Sequence, residues 1–205
     1  MMNTLECIEK RKSTRIFLTG ELPKECIEKI LLCGMRAPSP KNSQPWHFCV
    51  VQSDDKKNRI AGILEKGLQE LKKENQLKKI QRPDIQQAFS SVEILRTAPV
   101  VIFVYMDNSI YSMHDDGLRW DLHAKDVECT HIQAIGAAIQ NMLLAAADMG
   151  IDSLWMGDIF YAYHTLTEYL GEKGCLMAAV ALGYGADSFG KRSRKGIQEK
   201  VKWIS

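Results

Sequence analysis

Apolar positions along this 205-residue chain recur in two periods, and the switching between them predicts the order of elements. Leu5 and Ile8 stand at helical spacing over residues 3 to 10, with Asn3 or Thr4 as the N-cap and Glu6 in the first turn. Pro23 opens a second helix to about Met35, with Ile27, Ile30 and Leu31 on one face. Ile60, Ile63, Leu64, Leu68 and Leu71 repeat at threes and fours through a lysine-rich helix over 54 to 80, and after Pro83 a further helix runs to about Arg96. Residues 130 to 149 give the strongest helical signal. Their apolar positions run nearly all round, and Gly136, Ala137, Ala138 and Ala145 to Ala147 leave room for another helix, so this helix is expected at the centre or at a subunit interface. Gly150 ends it, and a last helix is predicted over 162 to 170.

Between the helices lie continuous apolar runs of strand length. Trp46 to Gln52, containing Phe48-Cys49-Val50-Val51, reads as a strand buried on both faces. Val100 to Tyr105 and Cys175 to Leu182 read the same way, Ser153 to Gly157 forms a short strand, and Val201 to Ile204 forms a terminal one. Residues 107 to 128 lose apolar periodicity. A polar stretch of that length in a compact chain reads as a lid-like insertion. No repeat or low-complexity linker divides the chain, so residues 1 to 205 are read as a single domain.

Three polar segments carry candidate chemistry. Pro38, Pro40 and Pro45 forbid regular helix, so the loop from Pro38 to Pro45 is stiff and extended. It presents Ser39, Asn42, Ser43 and Gln44, short-reach donors and acceptors suited to a flat, polar-edged ligand, although an ordinary turn has the same composition. Arg11-Lys12-Ser13-Thr14-Arg15 and Lys191-Arg192-Ser193-Arg194-Lys195 are two basic turns, readable as anion sites or as a solvated helix end and a localisation signal or frayed tail. Composition narrows the partners. A formal net charge of +2 predicts neither a nucleic-acid partner nor a membrane surface, and the lysines of 54 to 80 alternate with glutamates as on a solvated face. The 132 to 149 run is too short and too polar to span a bilayer, and the N-terminus has no signal-peptide core, so a cytoplasmic location is expected. Six scattered cysteines read as buried free thiols in a reducing compartment. The spacings of His114, His123 and His131 match no metal-ligand pattern, so no metal is expected.

Four segments in order resemble the FMN-dependent nitroreductase family. They are Arg11-Lys12-Ser13-x-Arg15; Pro38-Ser39-x-x-Asn42-Ser43-Gln44-Pro45-Trp46-His47-Phe48; Gln140-Asn141-Met142-Leu143-Leu144-Ala145-Ala146 followed by Gly150 and Trp155-Met156-Gly157; and Gly183-Tyr184-Gly185 with Arg192-x-Arg194. The resemblance covers essentially the whole chain. It implies an α+β, three-layer αβα fold with a mixed, mostly antiparallel sheet flanked by helices and a C-terminal strand exchanged in a homodimer.

It also implies FMN at the subunit interface, with NADH or NADPH as co-substrate. Arg11, Ser13, Arg192 and Arg194 would hold the phosphate, because the guanidinium fork donates in pairs to phosphate oxygens. Lys12 would contact the ring edge or ribityl chain through its backbone. Arg15 would lie at the N1–O2 edge, where a fixed positive charge favours the reduced, anionic ring. Pro38, Ser39, Asn42 and Gln44 would serve the flavin of the other subunit, and Met156 and Gly157 would offer backbone N–H groups to N5 and O4. Tyr111 or Trp120 of the insertion would close over the flavin face.

The activity implied is ping-pong transfer of hydride from NAD(P)H to an electron-poor acceptor such as a nitroaromatic or quinone, with no obligatory catalytic side chain. Three alternatives stay open: a flavin store or sensor without turnover, a relative with another flavin reaction such as reductive dehalogenation or flavin breakdown, and basic turns that bind a different phosphate ligand or an acidic partner.

Overall fold

The computed structural model describes residues 2–79, 83–107, 124–186 and 193–204. Its helices are α1 (Thr4–Lys10), α2 (Lys24–Gly34), α3 (Asp54–Leu77), α4 (Pro83–Thr97), α5 (Ala124–Asp148) and α6 (Tyr163–Leu170). Its strands are β1 (Trp46–Val51), β2 (Val100–Met106), β3 (Asp152–Met156) and β4 (Cys175–Gly183), joined in the order β1-β2-β4-β3 with every neighbour antiparallel. Among the described residues the one parallel element is an isolated bridge between Ser13 and Ser153, outside these strands, so the sheet expected to be mixed is antiparallel throughout.

The apolar runs explain the layering. Along β2, Val101, Phe103 and Tyr105 enter one core with α3, α4 and α6, while Val100, Ile102, Val104 and Met106 enter a second core with α2 and α5. Each face is buried, so no polar position interrupts the strand. β4 divides in the same way, with Ala179 and Ala181 on one side and Ala178, Val180 and Leu182 on the other. Helices therefore cover both sheet faces, giving the three-layer α+β fold.

Two further expectations need correction. β1 is an edge strand, and His47 and Val50 are exposed, so it is not buried on both faces. Its apolar composition resembles that of β2, but its position in the sheet leaves one side open. The cysteines are all free, yet only Cys7 is buried while Cys33 and Cys129 are exposed on helices. α5 also begins at Ala124, inside the stretch expected to be a polar insertion; residues 108–123 of that insertion lie outside the described residues. The helix closes with Gly150 N–H donating to Ala147 and Ile151 N–H to Ala146, a left-handed cap that Gly150 meets with φ of 71°.

Beneath β1, Tyr105 is fully buried and its hydroxyl has no hydrogen-bond partner among the described residues. Burial pushes its pKa up, and nearby Cys49, Glu172 and Tyr163 add to the shift. Burial also raises the Cys49 thiol, followed by the Glu172 carboxylate beside it. Both groups hold their protons longer folded than unfolded. Their contribution to stability is therefore intact below the unfolded thiol pKa and is lost as pH rises through the alkaline range. Tyr105→Phe is expected to raise stability by about 1 kcal/mol at neutral pH by removing an unsatisfied hydroxyl, and to flatten the alkaline fall. Urea denaturation at neutral and alkaline pH measures both effects.

Candidate functional site

The first basic turn owes its position to the way α1 ends. An Asn3–Glu6 capping box starts the helix, and Arg11 leaves it with φ −54° and ψ 124°, turning the chain into an extended run. Thr14 N–H donates to the Ser153 carbonyl at 3.0 Å, so this run lies alongside the open edge of β3. Side chains alternate along it. Thr14 is fully buried, while Ser13 and Arg15 on either side of it are exposed. The alternation turns the cation and the hydroxyl outward together.

The end of β4 is laced into the same place. Leu18 N–H donates to Tyr184, Ala186 N–H donates to Ile16, and Phe17 bridges Gly185. Asp152, the first residue of β3, accepts from Gly185 N–H at 3.0 Å. Parts of three of the four motif segments therefore lie at one sheet edge: Arg11 to Arg15, Trp155 to Gly157 at the end of β3, and Gly183 to Gly185. An open cleft of about 290 Å³, lined in part by Lys10, Arg11, Lys12, Asp152 and Ser153, runs beside them. Arg15 Nη1 donates to the Ser13 carbonyl at 3.3 Å within the turn.

At the other end of β3, Met156 is buried and Gly157 is exposed, with no atom within 4 Å of where its Cβ would stand. A short 3-10 turn, Asp158–Ala162, follows it directly. A flat group can approach the Gly157 backbone here without meeting a side chain.

The proline loop lies elsewhere. Trp46 pairs with Met106, which pairs with Cys175, whereas Asp152 pairs with Gly183 at the far end of β4. The loop before β1 and the basic turn beside the start of β3 thus occupy diagonally opposite corners of the sheet, roughly 30 Å apart by strand spacing and rise. The loop is not extended as expected: Pro40–Asn42 form a 3-10 turn, and Lys41, Asn42 and Gln44 lie in the left-handed region with φ of 50°, 57° and 48°, because the prolines exclude α-helix but not a tight turn. Such conformations are costly, and they cluster at ligand-binding segments. Pro38, Asn42 and Gln44 are exposed, and Ser39 Oγ accepts from Gln44 N–H at 3.0 Å while keeping its own O–H to donate.

Arg194 is exposed just beyond the undescribed stretch, whereas Arg192, Tyr111 and Trp120 lie outside the described residues. Val201–Ile204 forms no strand within its own chain, and Trp203 and Ile204 are 83% and 87% exposed. No helix among the described residues is long and apolar enough to cross a membrane, and among those residues no cluster of His, Cys, Asp and Glu could hold a metal. The sequence reading did not single out Asp152 or Thr14. Gly185 is the local sign of the close packing that involves both.

The Nitroreductase family profile matches residues 8–184. An Archaeoglobus fulgidus protein provisionally named NADH dehydrogenase/NAD(P)H nitroreductase is 31% identical over 193 residues, covering 91% of this chain and 88% of that one. A BluB-like flavoprotein from Clostridium difficile superposes with a TM-score of 0.82 at 28% identity, covering all of both chains. A Desulfovibrio desulfuricans protein, provisionally named a nitroreductase and solved in complex with FMN, superposes at 0.73 with 26% identity, covering 100% of this chain and 98% of that one. With the profile spanning most of the chain and the same layered sheet in these relatives, the chain belongs to the nitroreductase family.

Proposed function

We propose that this chain is a cytoplasmic FMN-dependent oxidoreductase that draws on NADH or NADPH to reduce a small electron-poor acceptor such as a nitroaromatic or quinone, and that it works as a homodimer. The observation that carries the reading is the separation of its polar segments. The basic turn and the Ser39–Gln44 loop, with Lys41, Asn42 and Gln44 in the left-handed region, stand at opposite corners of one chain's sheet. A two-fold partner supplies the loop that each basic turn lacks. Leu5 and Ile8 on α1, Leu32 on α2, Met35 just beyond it and Ile132 on α5 are 40% or more exposed, although α1 and α2 both pack on α5. That apolar layer suits a partner's equivalent layer, and the exposed Trp203–Ile204 tail suits strand exchange.

The residues present fit FMN. Arg11, Ser13 and Arg15 form an outward row of donors on a strand-like backbone, and Gly157 leaves an uncovered backbone at the end of the adjoining strand. Arg11, Ser13 and Arg194, with Arg192, hold the phosphate; Lys12 borders the ribityl chain; Arg15 holds positive charge at the ring's N1–O2 edge. Met156 and Gly157 donate from the backbone at N5 and O4, and Pro38, Ser39, Asn42 and Gln44 reach the ring from the partner. Bound FMN would supply the hydride chemistry between the nicotinamide and the acceptor. The chain's own task is to orient the ring, leave one face open and exclude bulk water. Protons come from solvent, with no side chain required as a general acid. Tyr111 or Trp120 would close the open face, and the chain acts as a single FMN-binding domain with its insertion as lid.

Anaerobic mixing tests the reading. Purified protein reconstituted with FMN should bleach with NADH or NADPH and recover its colour with a quinone or nitroaromatic. Bleaching without recovery by any acceptor would favour a flavin store, and failure to retain FMN would overturn the proposal. Asn42→Ala is expected to weaken FMN binding about tenfold, and dilution below the dimer dissociation constant should do the same. A monomer holding FMN tightly contradicts the shared site.

A further inference from the structure

The turn that follows Gly157 is tied down from outside the site. Ser91 on α4 is 4% exposed, and its hydroxyl donates to Asp158 Oδ2 at 2.5 Å. Seven residues earlier on the same helix, Asp84 Oδ2 accepts from the Tyr161 hydroxyl at 2.8 Å. A spacing of seven places Asp84 and Ser91 on one stripe of α4, about 10 Å apart along its axis. Asp158 and Tyr161 lie three residues apart in the 3-10 turn, about 6 Å, and the length of the tyrosine spans the difference. From α3, Gly67 presses against the same turn, where a Cβ would stand 2.7 Å from the Tyr161 carbonyl oxygen. Within this turn Ile159 is fully buried and Ala162 is 8% exposed.

Asp158 matters because of where its charge sits. It directly follows Gly157, the backbone against which the flavin edge lies in the function proposed above, and the inference rests on that reading. A carboxylate free to turn toward Gly157 would put negative charge beside a ring that gains negative charge when reduced. Ser91 draws that carboxylate toward α4 and shares its charge through a hydrogen bond. We infer that Ser91 and Asp158, with Asp84 and Tyr161 as the second tie, form a clamp on α4 that positions the Met156–Gly157 edge and turns the Asp158 carboxylate away from the flavin. The residues are positioning groups and contact no substrate.

The test uses the full-length dimer carrying Ser91→Ala, Asp158→Asn, or both. Alanine at 91 leaves a half-buried carboxylate that water can reach, so the variant should fold. In Ser91→Ala the flavin midpoint potential is expected to fall and the FMN dissociation constant to rise about fivefold. Asp158→Asn should raise the potential, because an amide still accepts from Ser91 and carries no charge. In the Asp158→Asn background, adding Ser91→Ala should leave the potential unchanged. A second readout needs no flavin: amide exchange of residues 157 to 162 in the FMN-free protein should quicken about tenfold in Ser91→Ala. An unchanged potential in Ser91→Ala, or an equal fall in both backgrounds, overturns the electrostatic role; unchanged amide exchange overturns the clamp. If the wild-type protein takes up no FMN, the function proposed above fails and the electrostatic role fails with it, while exchange still decides the clamp.

Discussion

An Arg15→Ala protein is expected to keep most of its FMN affinity while its two-electron potential falls by about 30 mV, equivalent to about 1.4 kcal/mol, whereas Arg11→Ala is expected to bind FMN about 50-fold more weakly. The two arginines belong to one turn but occupy different places along β3. Arg11 is the C-cap of α1 and lines the cleft with Lys10 and Lys12, close to Asp152 and Ser153 at the start of the strand. Arg15 lies two residues past the Ser13–Ser153 bridge, toward Met156 and Gly157. On the function proposed above, that parallel course would set one guanidinium at the phosphate and the other beside the ring edge. Removing the first forfeits charge-assisted hydrogen bonds in both redox states. Removing the second costs mainly the reduced state, because only that state carries the extra charge. Potentiometric titration with a reference dye and fluorescence titration of apoprotein with FMN separate the outcomes. If Arg15→Ala loses FMN at an unchanged potential, Arg15 binds phosphate and the direction of the flavin along β3 is reversed.

How much of this was legible beforehand follows from how local each signal is. The buried strands β2 and β4 could be read because a run with no polar position has one economical explanation, burial on both faces. β1 has nearly the same composition and was read the same way. Its edge position is a property of strand order, which no single segment encodes. The thiols were overread for a related reason. Cys33 lies in a helix with a buried face, but the helical turn points it outward. Within the site, the motif residues were legible because each segment is short and chemically loaded. Their convergence was not. Nothing near Thr14 in sequence indicates that it packs against Gly185, or that Asp152 receives Gly185 N–H. Ser91 and Asp158 were silent as well, since a serine in a helix and an aspartate after a glycine have many ordinary uses.

Alanine at two glycines of the site should separate stability from FMN binding. At Gly185, a Cβ would stand 2.1 Å from Asp152 Oδ2 and 2.9 Å from Thr14 Cγ2. Both neighbours are constrained, because Asp152 is tied to the residue 185 amide and Thr14 is fully buried and pinned to Ser153. Gly185→Ala must therefore push the Arg11–Arg15 run off β3 or break the Asp152 contact. The expected cost is about 3 kcal/mol, lowering Tm by about 8 °C for a chain of this size, with FMN affinity falling because the outward row of donors loses its backing. Gly157 has φ −96° and open space around it, so Gly157→Ala should leave Tm within about 2 °C. In the function proposed above its methyl group would occupy the space meant for the flavin edge, and FMN affinity should drop about tenfold. Calorimetry of the FMN-free proteins with FMN titration of each resolves the two effects. A Gly157→Ala protein that binds FMN normally would remove the ring from the end of β3. A Gly185→Ala protein with unchanged Tm would mean that Asp152 and Thr14 yield freely, and that the sheet edge is not the rigid support assigned to it.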